Sequence, residues 1–285
     1  MMEYDWVAED GTGFPSLRWG DPDTARAVMV CVHGLGGAHG NFEPLGRRLA
    51  EEGVFVAALT VRGQGLDPDR RRRGSYLDAD VISADIAAFV AAHHLPGRPL
   101  FLCGESLGAL LCARMLARGV ALPELTGAIY SAPVVALARE TPSLVRHALR
   151  LLATLLPGGS LSPSWFVAGK KIPLATSRDE EWMRSQREGP QHVKAFTFGA
   201  LDAIGRLMAE MPEAARKINS PALVLAGGKD VFVREEQVRG WFEDLAAPDK
   251  TYLAYPDGHH VLWNDWDRAQ VLDDITHWIR LRLAT

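Results

Sequence analysis

A hydroxyl, a carboxylate and an imidazole follow one another along the chain in an order suited to nucleophilic catalysis. Ser106 is the centre of a Gly-Glu-Ser-Leu-Gly segment, Asp230 follows Gly-Gly-Lys, and the pair His259 and His260 follows Pro-Asp-Gly. A serine hydroxyl is a poor nucleophile at neutral pH, so it needs a base within hydrogen-bond reach and a carboxylate that orients the base. We predict that Ser106 is the nucleophile and Asp230 the orienting acid.

The segment around Ser106 has the context that such a nucleophile needs. It follows an apolar run at 99–103 and precedes a helical pattern at 109–118, which predicts a strand, a sharp turn and a helix. Alone, the Gly-x-Ser-x-Gly pattern is weak, because it should occur by chance in roughly one in ten chains of this length. The alternative, a serine in a helix-capping turn, is disfavoured because an acid and a histidine follow later in the expected chain order.

The acid and the base each have an alternative. Asp230 follows the apolar run 222–226 and could instead cap the next helix, while Asp257 is a minor candidate for the same role. His259 and His260 follow the run 251–255, and adjacent side chains in a turn point in different directions. Only one of them can therefore face Ser106, and the residues alone leave that choice open.

The apolar pattern predicts the elements that must position these groups. An opening hairpin is predicted at 4–7 and 17–19, a helix at 80–90, and buried strands at 27–32, 54–61, 99–103, 125–130, 222–226 and 251–255. Alternation of short buried strands with helices is typical of an α/β protein with a mostly parallel, doubly wound sheet.

One stretch interrupts this alternation. Between Pro133 and Ser220 there is no convincing buried strand, whereas 144–156 has a wide apolar stripe at helical spacing. We predict a helical cap at 133–219, inserted into a core formed by 1–132 and 220–285. Residues predicted to line an acyl site beneath it are Leu149, Leu152, Trp165, Phe166 and Phe196. The alternative is that these side chains only seal the cap to the core.

The tetrahedral intermediate of acyl transfer also needs hydrogen-bond donors. The backbone N–H of Leu107, directly after the nucleophile, is predicted to be one donor, and the N–H of Leu35, in the glycine-rich loop 33–37, the other. A phosphate-binding loop is a weaker interpretation, because the segment lacks Gly-x-Gly-x-x-Gly spacing and a following Lys-Ser/Thr pair.

Composition excludes several other classes. The formal net charge of -4 and pI of about 6.1 argue against a nucleic-acid partner. The acidic, polar N-terminus lacks the pattern of a signal peptide, so a cytoplasmic location is expected, and the three cysteines, all in apolar runs, are expected to be reduced. No metal-ligand spacing is present, and neither a metal nor another cofactor is expected. Contact with a membrane or micelle surface is compatible with this composition, and the oligomeric state is left open.

With these motifs in hand, the sequence resembles the monoacylglycerol lipase and lysophospholipase branch of the α/β-hydrolases, the group described with the serine aminopeptidases. The segments that carry the resemblance are His-Gly-x-Gly at 33–36, a glycine-rich turn at 62–65, Glu105 where His is usual, Ser-Ala-Pro at 131–133 and His-Val-Leu at 260–262. The resemblance implies an α/β-hydrolase fold with a helical cap over an apolar acyl channel. It also implies that His260 is the catalytic base.

The expected function is hydrolysis of a carboxylic ester with an acyl chain, such as a monoacylglycerol or a lysophospholipid, through an acyl-enzyme intermediate. A carboxylesterase acting on short soluble esters is the nearest alternative, and peptide or amide hydrolysis is a weaker one. A different class stays open, because this fold also occurs in ligand-binding proteins that have lost catalysis. The complete set of Ser106, Asp230 and His260 argues against that class.

Overall fold

The predicted α/β class is confirmed by a computed structural model, which describes residues 1–139, 143–162 and 174–284. Its central sheet has eight strands in the order β1-β2-β4-β3-β5-β6-β9-β10. Their bounds are β1 Met2–Val7, β2 Gly13–Trp19, β3 Ala27–Val32, β4 Val54–Leu59, β5 Leu100–Glu105, β6 Gly127–Ser131, β9 Ala222–Gly227 and β10 Lys250–Tyr255. The first two strands form the predicted antiparallel hairpin, and β3 to β10 of this sheet are parallel to one another.

The strand order has a switch point beside β3. The chain leaves β3 to form β4 on one side and then crosses to form β5 on the other side. In open α/β sheets, ligands bind where the connections leave in opposite directions at the carboxyl ends of such strands. Here those ends carry the loop beginning at His33 and the turn at Ser106.

Helices cover both faces of the sheet. Within the described residues they are α1 Glu43–Glu51, α2 Ala79–His93, α3 Leu107–Ala117, α4 Ser143–Leu155, α5 Glu180–Glu188, α6 Phe198–Ala215, α7 Glu235–Glu243 and α8 Arg268–Leu283. One hydrophobic core lies between the sheet and α2, α3, α6 and α7, and a second lies between the sheet and α1 and α8.

Strands β3 and β4 are apolar at every position because both of their faces are buried. In β3, Val28, Val30 and Val32 pack into the first core, whereas Ala27, Met29 and Cys31 pack into the second. This alternation follows from the two-residue repeat of a strand. It fixes the register, since a shift by one residue would exchange the two sets of side chains.

The chain leaves the sheet after β6 and returns at β9. Between them lie α4, α5, the first part of α6 and a two-stranded ladder of β7 Ser160–Leu161 and β8 Phe196–Thr197, which sequence analysis did not predict. The second half of α6 packs on the sheet side, with Leu207, Met211 and Ala215 in the first core. One helix, α6, is therefore shared by the inserted segment and the body of the molecule.

The apolar stripe on α4 faces largely outward. Its exposed side chains are Leu144, Val145, Leu151 and Leu155, with Leu156 directly after the helix. Leu149 is partly buried against the first core. No helix in the described part of the chain is both long and apolar enough to cross a bilayer. The three cysteines, Cys31, Cys103 and Cys112, are free and buried.

Candidate active site

Ser106 lies in a strained turn between β5 and α3. Its backbone has φ 55° and ψ -117°, a region that non-glycine residues rarely adopt. The turn is tight: a Cβ on Gly104 would lie 2.6 Å from the Cα of Ala109, and one on Gly108 would lie 2.1 Å from the carbonyl oxygen of Val32. The two glycines of the motif therefore allow the helix to approach the strands closely enough to project Ser106 from the sheet edge.

Three side chains from distant segments form one hydrogen-bonded chain. The Ser106 hydroxyl donates to Nε2 of His260 over 2.8 Å, and Nδ1 of His260 donates to Oδ2 of Asp230 over 2.6 Å. Asp230 is held in turn, because its Oδ1 accepts from the backbone N–H of Phe232 over 2.7 Å. The arrangement fixes the tautomer of His260 and leaves Nε2 free to accept a proton from Ser106.

The surroundings of His260 favour its charged form. Burial by itself lowers the pKa of the imidazole, but the charge and hydrogen bond of Asp230, with the charge of Glu105, outweigh burial and raise the pKa above the ordinary value of a histidine. The ring of Phe232 lies 4.6 Å from the imidazole, centroid to centroid. His260 is therefore a base held by a carboxylate and packed by an aromatic ring.

The neighbouring histidine points elsewhere. The backbone N–H of His259 donates to Oδ2 of Asp265 over 2.9 Å, and its Nδ1 lies 3.4 Å from the same oxygen. Asp265 also binds Arg178. Asp257, the second candidate for the acid, is exposed. The structure thus brings together Ser106, His260 and Asp230, and leaves His259 and Asp257 outside that chain of hydrogen bonds.

The glycine-rich loop after β3 lies against the serine. A Cβ on Gly34 would lie 2.8 Å from the Cβ of Ser106, and Leu35 and Leu107 both line the cavity beside it. The next two backbone donors of the loop are engaged: Gly36 donates to Oε1 of Gln64 over 2.8 Å, and Gly37 donates to the carbonyl oxygen of Gly34 over 3.1 Å. These bonds fix the shape of the loop that carries the Leu35 N–H.

A cavity of about 240 Å³ opens beside Ser106 and is mostly apolar. Its apolar wall includes side chains from α3, from the segment after β6 and from α6: Leu110, Val134, Leu137, Leu201, Ile204 and Met208. The three residues from α6 are spaced at three and four positions, so they form one stripe on that helix. Trp182, Met183, Gln186 and Arg187 of α5 line another part of it.

The predicted acyl-site residues divide into three groups. Phe196 lines the cavity and is 2% exposed. Leu149 and Leu152 are not among the lining residues, because α4 packs beside α6 and it is α6 that faces the cavity. Trp165 and Phe166 lie outside the described residues. The α6 stripe was missed, although its spacing is visible in the sequence.

Two polar residues at the site were also missed as functional candidates. Gln64 is 1% exposed and holds the loop after β3, and Glu105 is 2% exposed and borders the cavity. Both residues could have been identified from the sequence, because each is a polar side chain within a glycine-rich turn at the end of a strand. Among the residues that the structure describes, no cluster of His, Cys, Asp and Glu could hold a metal ion.

Comparison with known proteins gives a family match over most of the chain. The model of the family described as "Serine aminopeptidase, S33" matches residues 23–267. That range includes the segments that carry Ser106, Asp230 and His260.

Individual relatives have the same overall length. The chain is 29% identical over 268 residues to a monoacylglycerol lipase of Mycolicibacterium smegmatis, with 90% of each chain covered. A crystal structure of the Paleococcus ferrophilus monoacylglycerol lipase superposes with a TM-score of 0.79 at 25% identity, covering 99% of this chain and 100% of that one. A monoglyceride lipase from Saccharomyces cerevisiae, solved with a substrate analog, has the same fold, with a TM-score of 0.83 at 20% identity over 99% of this chain and 94% of that one.

Proposed function

Because the chain belongs to the serine aminopeptidase S33 family of α/β-hydrolases and is a carboxylic ester hydrolase, we propose that it cleaves acyl esters of the monoacylglycerol or lysophospholipid type. The reaction proceeds through an acyl-enzyme intermediate on Ser106. The observation that carries this proposal is the continuous hydrogen-bonded chain from Ser106 through His260 to Asp230, which opens onto an apolar cavity.

The hydrogen-bonded chain supports the following role for each residue. His260 accepts the Ser106 proton through Nε2 as Oγ attacks the ester carbonyl, and Asp230 stabilises the imidazolium that forms. The imidazolium then donates that proton to the leaving alcohol as the carbon–oxygen bond breaks. In the second half of the reaction, His260 deprotonates a water that attacks the acyl-enzyme, and Ser106 is restored.

The developing oxyanion is stabilised by two backbone donors in this proposal. Leu107 begins α3, so its N–H is at the positive end of the helix dipole. Leu35 lies in the loop whose following N–H groups are bonded to Gln64 and Gly34. Preorganised donors of this kind lower the barrier because they need no reorientation when charge develops.

The apolar wall favours an acyl chain over a polar acid. Leu201, Ile204 and Met208 present aliphatic and thioether surface to the cavity, and Phe196 presents an aromatic ring. Each buried methylene of an acyl chain gains about 0.8 kcal/mol on leaving water. These four residues all belong to the insertion at 133–219, and we assign that segment as the cap over the acyl site.

The exposed face of α4 fits transient contact with a lipid surface. Leu144 is 79% exposed and Leu155 is 66% exposed, beside Leu151 at 59%. An apolar patch of this kind on a soluble-protein surface commonly marks an interaction site. Replacement of Leu144 and Leu155 by Ser should lower turnover of a micellar substrate and leave turnover of the same ester below its micelle concentration unchanged.

A labelling experiment tests the catalytic assignment. A fluorophosphonate should label the native protein, and Ser106→Ala should abolish both labelling and turnover, since loss of a triad serine costs on the order of a million-fold in kcat. A native protein that binds monoacylglycerol but resists the probe would instead indicate a non-catalytic binding protein.

A series of p-nitrophenyl esters of increasing acyl length separates lipid-type esters from short soluble esters. A maximum of activity at acetate would contradict the acyl-chain assignment.

A cavity variant tests the acyl wall. Met208→Trp narrows the cavity, so the preferred acyl chain should become shorter while acetate turnover is retained. Leu281→Trp is the matched control, because that side chain is exposed on α8 and does not line the cavity. Unchanged chain-length preference in Met208→Trp would place the acyl chain elsewhere.

A further inference from the structure

Glu105 is a buried carboxylic acid directly before Ser106. It is the last residue of β5 and pairs in register with Ser131 of β6. Phe101 and Cys103 lie at alternate positions before Glu105, on the same face of the strand, and pack into the core beneath α1 and α8. Glu105 is 2% exposed, and it borders the cavity together with Asn41 and His260.

The carboxyl group of Glu105 is incompletely satisfied. Its Oε2 is buried and accepts no hydrogen bond from the described residues. Burying an unpaired carboxylate costs several kcal/mol, so such a group is rarely kept without a reason.

The groups that act on Glu105 come from three directions. His260 lies on the loop after β10, the Asn41 amide on the turn before α1, and the Trp263 indole on the turn before α8. Cys103 lies below it on the same strand, beside Cys31 on β3. Of these groups only the His260 imidazole carries positive charge when protonated, so the Coulomb partner of Glu105 is the catalytic base.

The electrostatic effect between the two groups is reciprocal. Burial raises the pKa of Glu105 to about 7, against the charge of His260 and the hydrogen-bonding groups of Asn41 and Trp263, which lower it. The Glu105 charge in turn raises the pKa of His260. A group that titrates near neutrality next to the base can change its charge in the range where the base works.

We propose that Glu105 is a positioning residue that acts through His260: as a buried carboxylate it stabilises the imidazolium that forms when Ser106 attacks, in addition to Asp230. The proposal depends on the proposed function, since it assumes that His260 takes the proton of Ser106. When Glu105 is ionised, proton transfer to His260 creates an opposite charge next to it in a water-poor site, where such attraction is strong. When Glu105 is protonated, that stabilisation is lost.

The test is the pH profile of kcat/KM for Glu105→Gln, which keeps the shape of the side chain and removes its charge. At pH 8.5 the variant should be several-fold slower than the native enzyme, because the native Glu105 is then ionised next to His260. Near pH 6 the two should be equal, because Glu105, whose pKa is about 7, is then mostly uncharged in the native enzyme as well. Glu105→Asp should restore the native profile in part. Glu43→Gln is the matched control, since Glu43 is exposed and begins the helix after Asn41.

The outcomes separate this proposal from the proposed function. If the native protein resists a fluorophosphonate, the proposed function fails. If labelling is normal but Glu105→Gln is slower by the same factor at every pH, Glu105 is only structural and the present proposal fails. Should the variant not fold, the test is the pH dependence of the rate at which a fluorophosphonate inactivates the native enzyme. A rate that depends on two coupled protonations supports the proposal, and a rate that depends on a single protonation overturns it.

Discussion

The backbone N–H of Gly36 donates to Oε1 of Gln64 over 2.8 Å, which ties the loop after β3 to the turn after β4. Gln64 is itself buried in that turn. The bond holds the loop that carries the Leu35 N–H, so Gln64 supports the proposed oxyanion donor without lining the cavity beside Ser106. Support of this kind is needed because misplacement of a donor by about 1 Å can cost 100-fold in rate.

Gln64→Ala should therefore lower kcat by about 10- to 100-fold with little change in KM, since the lost interaction is made mainly in the transition state. Steady-state kinetics with a medium-chain p-nitrophenyl ester measure both constants. Thr126→Ala is a suitable control, because this hydroxyl also accepts a hydrogen bond from a backbone N–H, that of Leu100, but lies at the end of β5 opposite to Ser106. A rise in KM at constant kcat would mean that Gln64 shapes substrate binding instead.

The two adjacent histidines should differ sharply on substitution. His260→Ala removes the base and should reduce kcat by at least about 10,000-fold. His259→Ala removes only a side chain beside Asp265, whose bond to the His259 backbone persists, so its activity should stay within a few-fold of the native value. Fluorophosphonate labelling rates report the same contrast, and an inactive His259→Ala with an active His260→Ala would reverse the assignment.

Activity should fall as the pH drops through the pKa of His260, because protonated Nε2 cannot accept the Ser106 proton. Asp230 raises that pKa, so the acid limb of kcat/KM should lie above about 6.5, the ordinary value of a histidine. Asp230→Asn should move the limb to lower pH and reduce the maximum. A native limb well below 6.5 would show that burial outweighs the carboxylates.

The fold should depend on the ion pairs of Arg62. This guanidinium is 4% exposed and binds Asp85 through two hydrogen bonds of 2.7 and 3.0 Å, and Asp10 through one of 2.6 Å. Arg62→Met leaves the buried Asp85 without its partner and should lower the free energy of unfolding by about 3 to 5 kcal/mol. Urea denaturation measures the change.

Arg47→Met is the control for that substitution, because the Arg47–Glu43 pair on α1 is largely exposed and should contribute no more than about 1 kcal/mol. The double variant with Arg62→Met and Asp85→Asn should recover part of the loss, since it removes the unpaired charge. Equal effects of Arg47→Met and Arg62→Met would contradict the role of burial.

The sequence predicted the sheet well because its central strands are buried on both faces. Strand β3 was predicted within its observed bounds, 27–32, and β9 to within one residue. The two glycines of the Ser106 motif are required by a close approach between helix and strand, so the turn could be predicted from the sequence. Local pattern and tertiary packing agree in these segments.

The acyl wall was harder to predict because a wide apolar stripe does not show which way it faces. The stripe on α4 was expected to line the site, yet Leu144 and Leu155 face outward, and the narrower stripe on α6 faces the cavity. Likewise, the surroundings of Glu105 include Asn41 and Trp263, which come from turns far away in sequence. Contacts between such distant segments produce no repeating pattern in the local sequence.

The continuity of α6 has a consequence for how this enzyme can be altered. Its first turns line the cavity beside Ser106 with Leu201, Ile204 and Met208, and its last turns are packed in the hydrophobic core with Met211 and Ala215. Substitutions on α6 that reshape the cavity are therefore expected to lower thermostability as well. Substitutions at Trp182 and Met183, on a helix that has no fully buried residue, are expected to reshape the cavity at a smaller cost in stability.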